Sequence, residues 1–373
     1  IIMRLFQQPT EILHYNDVTE FISEFSFSED DYILASKTIY EHFFTNENLP
    51  CTVAFHSDYG KGEPTDKMLD AMLADMRKAN PKRIIAIGGG SVIDCAKLFV
   101  FDSNANAEDM FLQKCELKKT RKLIAIPTTC GSGSEVSKIS ICELTSLHTK
   151  LGLAIDELFP DQAILIPQLL SKLPYFYFIT SAIDALIHAS ESLLSPKSNS
   201  YTSFFSKNAI QLLIKGFINL NKYGEDYRFQ DLDSFLIASN YAGIAFGNTG
   251  TGAVHALSYP LSGKYHVTHG EANYQFFIAV LHKYEELQPQ GNILLLKQEL
   301  AQALSCPIDS VFDELDNLLS ALLFKKRLQE YGMKYNEIEE FTQSVLQSQQ
   351  RLLSNTPITL TETDILSIYK QLF

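Results

Sequence analysis

No two of the six cysteines (Cys51, Cys95, Cys115, Cys130, Cys142, Cys306) are spaced as a CxxC pair. Disulfide and zinc-finger frameworks are therefore not expected, and isolated thiols suit a reducing compartment. Positive charge is also short, with 31 Lys and Arg against 44 Asp and Glu and a net charge of −13. A nucleic-acid surface needs a basic stripe, and docking on an anionic membrane needs basic attraction, so neither partner is expected. No apolar run approaches the roughly 18 residues of a membrane span. The start IIMRLFQQPTEILHYND lacks the charged, apolar and cleavage regions of a signal peptide. The expectation is a cytoplasmic protein, with Ile1 and Ile2 preceding a native start at Met3. Internal repeats and low-complexity tracts are missing too.

What is present is an ordinary globular composition, 46% apolar and 20% charged over 373 residues, enough for two or three domains. The first half alternates short β-branched runs (31–36, 52–57, 83–87, 123–127) with helical patterns such as 65–79. That alternation predicts an α/β domain over residues 1–174 with a doubly wound, mostly parallel, Rossmann-like sheet. After Leu173-Pro174 the pattern turns helical, with long periodic runs at 180–194, 202–220, 232–246 and 271–287. Residues 175–373 are expected to form an all-α domain, with an active site in the cleft between the two domains.

Two glycine-rich segments each follow a strand. Gly88-Gly89-Gly90-Ser91 closes one strand and opens a helix, and Pro127–Glu135 follows the next. Glycine permits close approach to a pyrophosphate, and a helix start offers free N–H donors. The GxGxxG fingerprint is missing, so the spacing alone leaves a tight turn with Ser91 as N-cap equally open. In the helical half, Asp184 and His188 stand four apart and project from one helix face. His255 and His269 follow in GTGAVHALSYPLSGKYHVTHGEAN. Pro260 and Gly263 are expected to break the helix between them, leaving His255 near one helix end and His269 at the next start. Three imidazoles and a carboxylate suit a divalent transition metal such as iron or zinc.

Together DALIHASES, GAVHALSYPL, HGEAN, GGGSxxD and PTTCGSGSE resemble the iron-containing (group III) alcohol dehydrogenase family. The likeness extends across nearly the whole chain and is greatest to the family's 4-hydroxybutyrate-oxidising members. It implies a dehydroquinate synthase-like architecture, with Asp184, His188, His255 and His269 as ligands of a catalytic Fe2+, Zn2+ being the alternative. It implies NAD(H) at Gly88, Gly89, Gly90, Ser91, Asp94, Thr128, Thr129, Ser132 and Lys150. Asp94 would lie near the nicotinamide. At Ser36, where NAD-preferring relatives tend to carry an aspartate, this chain departs from the family, and Lys37 beside it leaves NADP open.

The activity implied is metal-dependent interconversion of 4-hydroxybutyrate and succinate semialdehyde. A broader primary-alcohol or diol dehydrogenase and a dehydroquinate-synthase-type lyase stand as alternatives. Some family members place a proton-relay histidine where this chain has Tyr259, which makes His266 a second relay candidate. The substrate carboxylate needs a cation or several donors, for which Lys264, Tyr265, His266 and Lys138 are candidates. Phe246 and Thr251 are candidates for lining the aliphatic part. The partner is a small hydroxy acid or semialdehyde, and the family implies a homodimer or larger homo-oligomer.

Overall fold

Eight strands and fifteen helices make up the computed structural model, which describes residues 3–147 and 149–373. Ile1 and Ile2, read above as preceding a native start, lie outside the described residues. The strands are β1 (Glu11–His14), β2 (Asp31–Ala35), β3 (Thr52–Phe55), β4 (Arg83–Gly88), β5 (Lys122–Pro127), β6 (Ile139–Leu144), β7 (Thr149–Ala154) and β8 (Gln162–Leu165). Between them run α1 (Val18–Glu24), α2 (Lys37–Phe43), α3 (Asp66–Ala79), α4 (Gly90–Leu98) and α5 (Ala107–Phe111). Ten helices follow: α6 (Tyr175–Leu194), α7 (Ser200–Tyr223), α8 (Leu232–Thr249), α9 (Ala253–Tyr265), α10 (His269–Leu287), α11 (Asn292–Leu304), α12 (Val311–Leu322), α13 (Glu337–Ser348), α14 (Gln350–Leu353) and α15 (Glu362–Leu372).

The chain divides into two compact units, Gln8–Pro174 and Tyr175–Phe373, the latter joined by the N-terminal segment ending at Gln7. Residues 3–7 thus group with the helices, whereas the sequence reading put them with the sheet. In the first unit β1, β8, β5, β4, β2 and β3 form one sheet in that order, every pair parallel. The alternation of side chains explains why the strands read as unbroken apolar runs. Tyr32, Leu34, Ile84 and Ala86 face a core shared with α3, α4 and α5. Ile33, Ala35, Ile85 and Ile87 face the opposite core, shared with α1 and α2. The connections β2 to β3 and β4 to β5 leave in opposite directions, which puts a topological switch between β2 and β4. The β6–β7 antiparallel hairpin stands apart from this sheet.

In the second unit α6 lacks Gly and Pro and is buried on almost every face from Phe178 to Leu194. A helix that is apolar all round belongs in a core, and α7, α8 and α10 pack around it. Gly216 on α7 sets how closely α8 approaches, because a Cβ there would stand 2.4 Å from the Phe235 ring. That ring is itself held by Phe178, with centroids 4.9 Å apart, and by Phe217, at 6.0 Å.

Gly216→Ala tests this packing. Alanine in a helix interior gains roughly 0.5–1 kcal/mol over glycine, but forcing a methyl into a filled core costs about 1–3 kcal/mol. The expected result is a net loss of stability in urea unfolding. A gain would show that Phe235 yields easily and that α7 and α8 are not in tight contact there.

Candidate metal centre and nucleotide loops

On α6, Asp184 and His188 are four residues apart and Glu191 follows three further on, so all three share a helix face. The same face receives the first turns of two other helices. His255 is the third residue of α9, and His269 is the first of α10. Gly270 permits the second approach: a Cβ there would come within 2.5 Å of the Thr180 carbonyl oxygen, one turn before Asp184.

The four expected metal ligands come together. One donor atom from each of Asp184, His188, His255 and His269 lies within 4.8 Å of the other three. The closest imidazole pair is His188 and His255, Nε2 to Nε2 at 3.1 Å. Asp184 oxygens stand 3.9 Å from His188 Nε2, 3.9 Å from His255 Nε2 and 3.7 Å from His269 Nε2. Ligand bonds of roughly 2.1 Å to a tetrahedral cation put donors about 3.4 Å apart, so this set fits a divalent ion with small adjustments. Three of the side chains are at most 5% exposed, while His269 is 31% exposed and marks the open side.

Two further residues orient the donors. Glu191 accepts from the N–H groups of Gly252 (2.9 Å) and Val254 (2.7 Å), and its Oε2 lies 2.6 Å from His255 Nδ1. A carboxylate there fixes the ring with its proton on Nδ1 and its lone pair on Nε2, toward the other donors. Asn273, one turn after His269, lies with Nδ2 2.8 Å from Asp184 Oδ1 and 3.1 Å from Nε2 of both His255 and His269. Ser258 Oγ holds the other end of that amide at 2.5 Å. Burial would raise the Asp184 carboxyl, but His188, His269, His255 and Asn273 outweigh it and hold the group below its ordinary range. Burial pulls the His255 imidazole down, yet Glu191 and Asp184 carry it above its usual value. Neither Glu191 nor Asn273 was singled out from the sequence. The signal available was spacing, since Glu191 lies on the Asp184–His188 face and Asn273 on the His269 face.

One expectation is corrected, and the other candidates are placed as follows. The helix does not break at Pro260: α9 runs through it to Tyr265, so His255 sits in the first turn and not near an end. The Tyr369 hydroxyl donates to the Leu257 carbonyl (2.6 Å), a side-chain bond within the turn that the proline disturbs. Lys264 is already paired with Glu337 (2.5 Å) and Glu340 (3.3 Å), and the Tyr265 hydroxyl also donates to Glu337. Burial would raise the Glu337 carboxyl, but Lys264, Tyr265 and the Lys334 N–H hold it down at about 2. These two residues are therefore tied to α13. His266 is exposed in the left-handed cap of α9, φ 54°, and outside the donor cluster. Tyr259 does come close, its ring centroid 6.3 Å from that of His269. Phe246 stacks on His188 at 4.3 Å, and Thr251 is buried three residues before Val254.

In the first unit the two glycine loops meet. A Cβ on Gly89 would stand 3.1 Å from Thr129, and one on Gly90 2.8 Å from Ser132 Cβ. Thr128 N–H donates to the Gly88 carbonyl (3.1 Å). The helix cap is Gly89, not Ser91, which is the second helical residue. Ser36 follows the end of β2 and donates its N–H to the Ile87 carbonyl (2.8 Å). Lys37 faces Asp58 at 3.6 Å. Asp94 turns inward: its carboxylate accepts from Ser134 Oγ and from the Ile141 N–H (3.0 Å), and buried Lys97 lies 3.5 Å away. Lys150 is paired with Glu63, and Lys138 with Asp156 at 2.7 Å.

Comparison with known proteins agrees across both units. The family profile described as iron-containing alcohol dehydrogenase matches residues 33–167. The profile for the C-terminal part of the Fe-containing alcohol dehydrogenase family matches 178–373. Over 371 residues the sequence is 44% identical to a 4-hydroxybutyrate dehydrogenase of Clostridium kluyveri, covering all of both chains. It is 31% identical to long-chain-alcohol dehydrogenase 1 of Geobacillus thermodenitrificans over 83% of this chain and 80% of that one. In fold it matches the sulfoacetaldehyde reductase of Bifidobacterium kashiwanohense, solved in complex with NAD+. That match has a TM-score of 0.83 at 21% identity, over 100% of this chain and 99% of the other.

Glu191→Gln should weaken Fe2+ or Co2+ affinity roughly 10- to 100-fold, the usual effect of losing a partner that orients a ligand. A chelator-competition titration measures it without any turnover. Affinity should also fall as pH is lowered, since the raised His255 keeps its proton to higher pH and a cation must displace it. Wild-type affinity in the Gln variant would reduce Glu191 to a helix cap.

Proposed function

The chain belongs to the iron-containing alcohol dehydrogenase family, and on that premise we propose that it is a metal-dependent, nicotinamide-linked dehydrogenase interconverting 4-hydroxybutyrate and succinate semialdehyde. The observation that carries the substrate is the 44% identity to a 4-hydroxybutyrate dehydrogenase over the full length of both chains. Fe2+ and NAD(H) are the cofactors. In this reading Asp184, His188, His255 and His269 hold the metal, residues 1–174 form the dinucleotide-binding domain and 175–373 the metal-binding domain.

A divalent metal held by these four residues would supply Lewis acidity, and a bound nicotinamide would supply or take up the hydride. The rest is the work of side chains. Asp184 brings the only ligand charge. Glu191 and Asn273 keep the imidazole and carboxylate lone pairs convergent. Phe246 packs its ring on His188 and gives the pocket an apolar wall. Tyr259, beside His269 on the open side, is our assignment for passing the alcohol proton outward.

For the nucleotide we assign Gly88–Ser91 with Thr128, Thr129 and Ser132. Support comes from the bare backbone at Gly89 and Gly90, from the start of α4, whose first N–H groups lack partners inside the helix, and from the switch between β2 and β4. Asp94 and Lys97 hold the two loops together from behind. NAD is preferred over NADP because Lys37 already faces Asp58. Exposed Tyr201 and Phe204 on α7 support a homo-oligomer.

The test is anaerobic NADH consumption by Fe(II)-loaded protein with succinate semialdehyde and with butanal. A preference for the semialdehyde of about a hundredfold in kcat/KM, about 3 kcal/mol, is expected. Equal rates would make the protein a broad alcohol dehydrogenase.

A further inference from the structure

A lysine is almost never fully buried unless acceptors are assembled around it. Lys97, at the end of α4, is 0% exposed. Its ammonium donates to Ser134 Oγ (2.9 Å), Ser137 Oγ (3.2 Å) and the Ile139 carbonyl (2.6 Å), with Asp94 Oδ1 3.5 Å away. Three protons thus meet three acceptors. All three acceptors belong to the segment that follows the second glycine loop.

That segment is held along one face of α4. Gly90, Asp94 and Lys97 are spaced i, i+4 and i+7, so they line up on the helix. At the start of the line, a Cβ on Gly90 would stand 2.8 Å from Ser132 Cβ. In the middle, Asp94 accepts from Ser134 Oγ and the Ile141 N–H (3.0 Å), and its backbone carbonyl accepts from Ser140 Oγ (2.8 Å). Lys97 closes the end. Gly133, at a left-handed φ of 60°, makes the step that turns Ser134 inward. The Ser134 N–H then donates back to Ser132 Oγ (3.3 Å). Contacts therefore run from the buried ammonium through Ser134 and Ser132 to the first residue of α4.

We propose that Lys97 is a positioning residue for the dinucleotide. Its ammonium fixes residues 132–139 against α4, and so sets the spacing at which the two glycine loops face the cofactor diphosphate. This rests on the reading of those loops as the nucleotide site. Being wholly buried, Lys97 acts on the cofactor only through the segment it holds. A lysine that served stability alone would lower the melting temperature when replaced but leave the cofactor affinity of the folded protein unchanged.

The experiment measures the NADH dissociation constant from the fluorescence of bound NADH in wild type, Lys97→Met, Ser134→Ala and Ser91→Asp. Melting temperature, Fe2+ affinity by chelator competition, and kcat and KM for NADH are measured beside it. The dissociation constant should rise about tenfold or more in Lys97→Met and about threefold or more in Ser134→Ala, as expected when binding groups are displaced. KM for NADH should rise with it, while kcat at saturating NADH and Fe2+ affinity stay near wild type. A folded Lys97→Met with the wild-type dissociation constant overturns the assignment, whatever its melting temperature. Should Lys97→Met fail to fold, Ser134→Ala decides, and a wild-type constant there overturns it. Ser91→Asp tests the premise, because an acid in the first turn suits a helix but repels a diphosphate. A weakened Ser91→Asp beside an unchanged Lys97→Met leaves the loops as the nucleotide site and removes Lys97 alone. If Ser91→Asp also binds NADH as wild type does, the loop reading fails and this assignment fails with it.

Discussion

Glu191 stands where two demands meet. The first N–H groups of α9 need acceptors, and the His255 ring needs its proton held on Nδ1 so that Nε2 can face the other donors. One carboxylate, 3% exposed, answers both. Such a group is costly to bury alone, but three short donor contacts compensate. The same charge lies at the positive end of a helix, where a carboxylate is favoured further. An apolar residue in its place would leave the Gly252 and Val254 N–H groups buried without partners and the imidazole free to turn. The geometry of the metal pocket therefore depends on an interaction that touches no metal.

That interaction is extended by a string of polar contacts through an otherwise apolar core. Thr249 Oγ1 donates to Ser192 Oγ (2.8 Å), Ser195 Oγ to Asn355 Oδ1 (2.7 Å), and Asn355 Nδ2 to the Thr251 carbonyl (2.9 Å). Gly250, at φ 83°, makes the left-handed step that lets the chain leave α8 and enter α9 inside this network. Deep in a protein such networks favour one arrangement when all members are satisfied. Here the residues fixed are the ones flanking His255.

Much of this was legible in the sequence, for definite reasons. Strands β2, β4 and β5 are buried on both faces, so they read as unbroken apolar runs between turn residues. The four donor residues were visible because their types and local motifs are unusual. Helix ends were less visible: α6 begins at Tyr175, five residues before the expected start, because Tyr175–Ile179 carries no distinctive helical spacing. Strands β1 and β8 and the β6–β7 hairpin lie outside the runs that read as strands. The proline in α9 misled because the local rule is strong, and the packing of α9 on α10 and α13 is not written in its own residues. The ion pairs of Lys264 were hidden for a related reason. Nearness in sequence to a donor says nothing about the carboxylates that another helix, α13, brings to it. Asp94 likewise sits in a cofactor-like motif but bonds inward, to Ser134 and Ile141.

The charge count of the pocket changes once Glu191 is included. Asp184 alone would leave a divalent ion with one surplus positive charge. Asp184 and Glu191 together balance it, since Glu191 bonds directly to a ligand ring. A balanced pocket has little long-range pull on an anion, and the chain as a whole carries −13. At physiological ionic strength, fields from exposed charges fade within about 8 Å, so the charges on the protein surface cannot draw in a carboxylate from afar. Recognition of an anionic end must then come from a cation or several hydrogen-bond donors at contact distance. In this acid-rich protein Lys264 is claimed by two glutamates and Lys150 by Glu63. A generally basic pocket is therefore not what would separate a hydroxy-acid enzyme from a plain alcohol dehydrogenase on this scaffold.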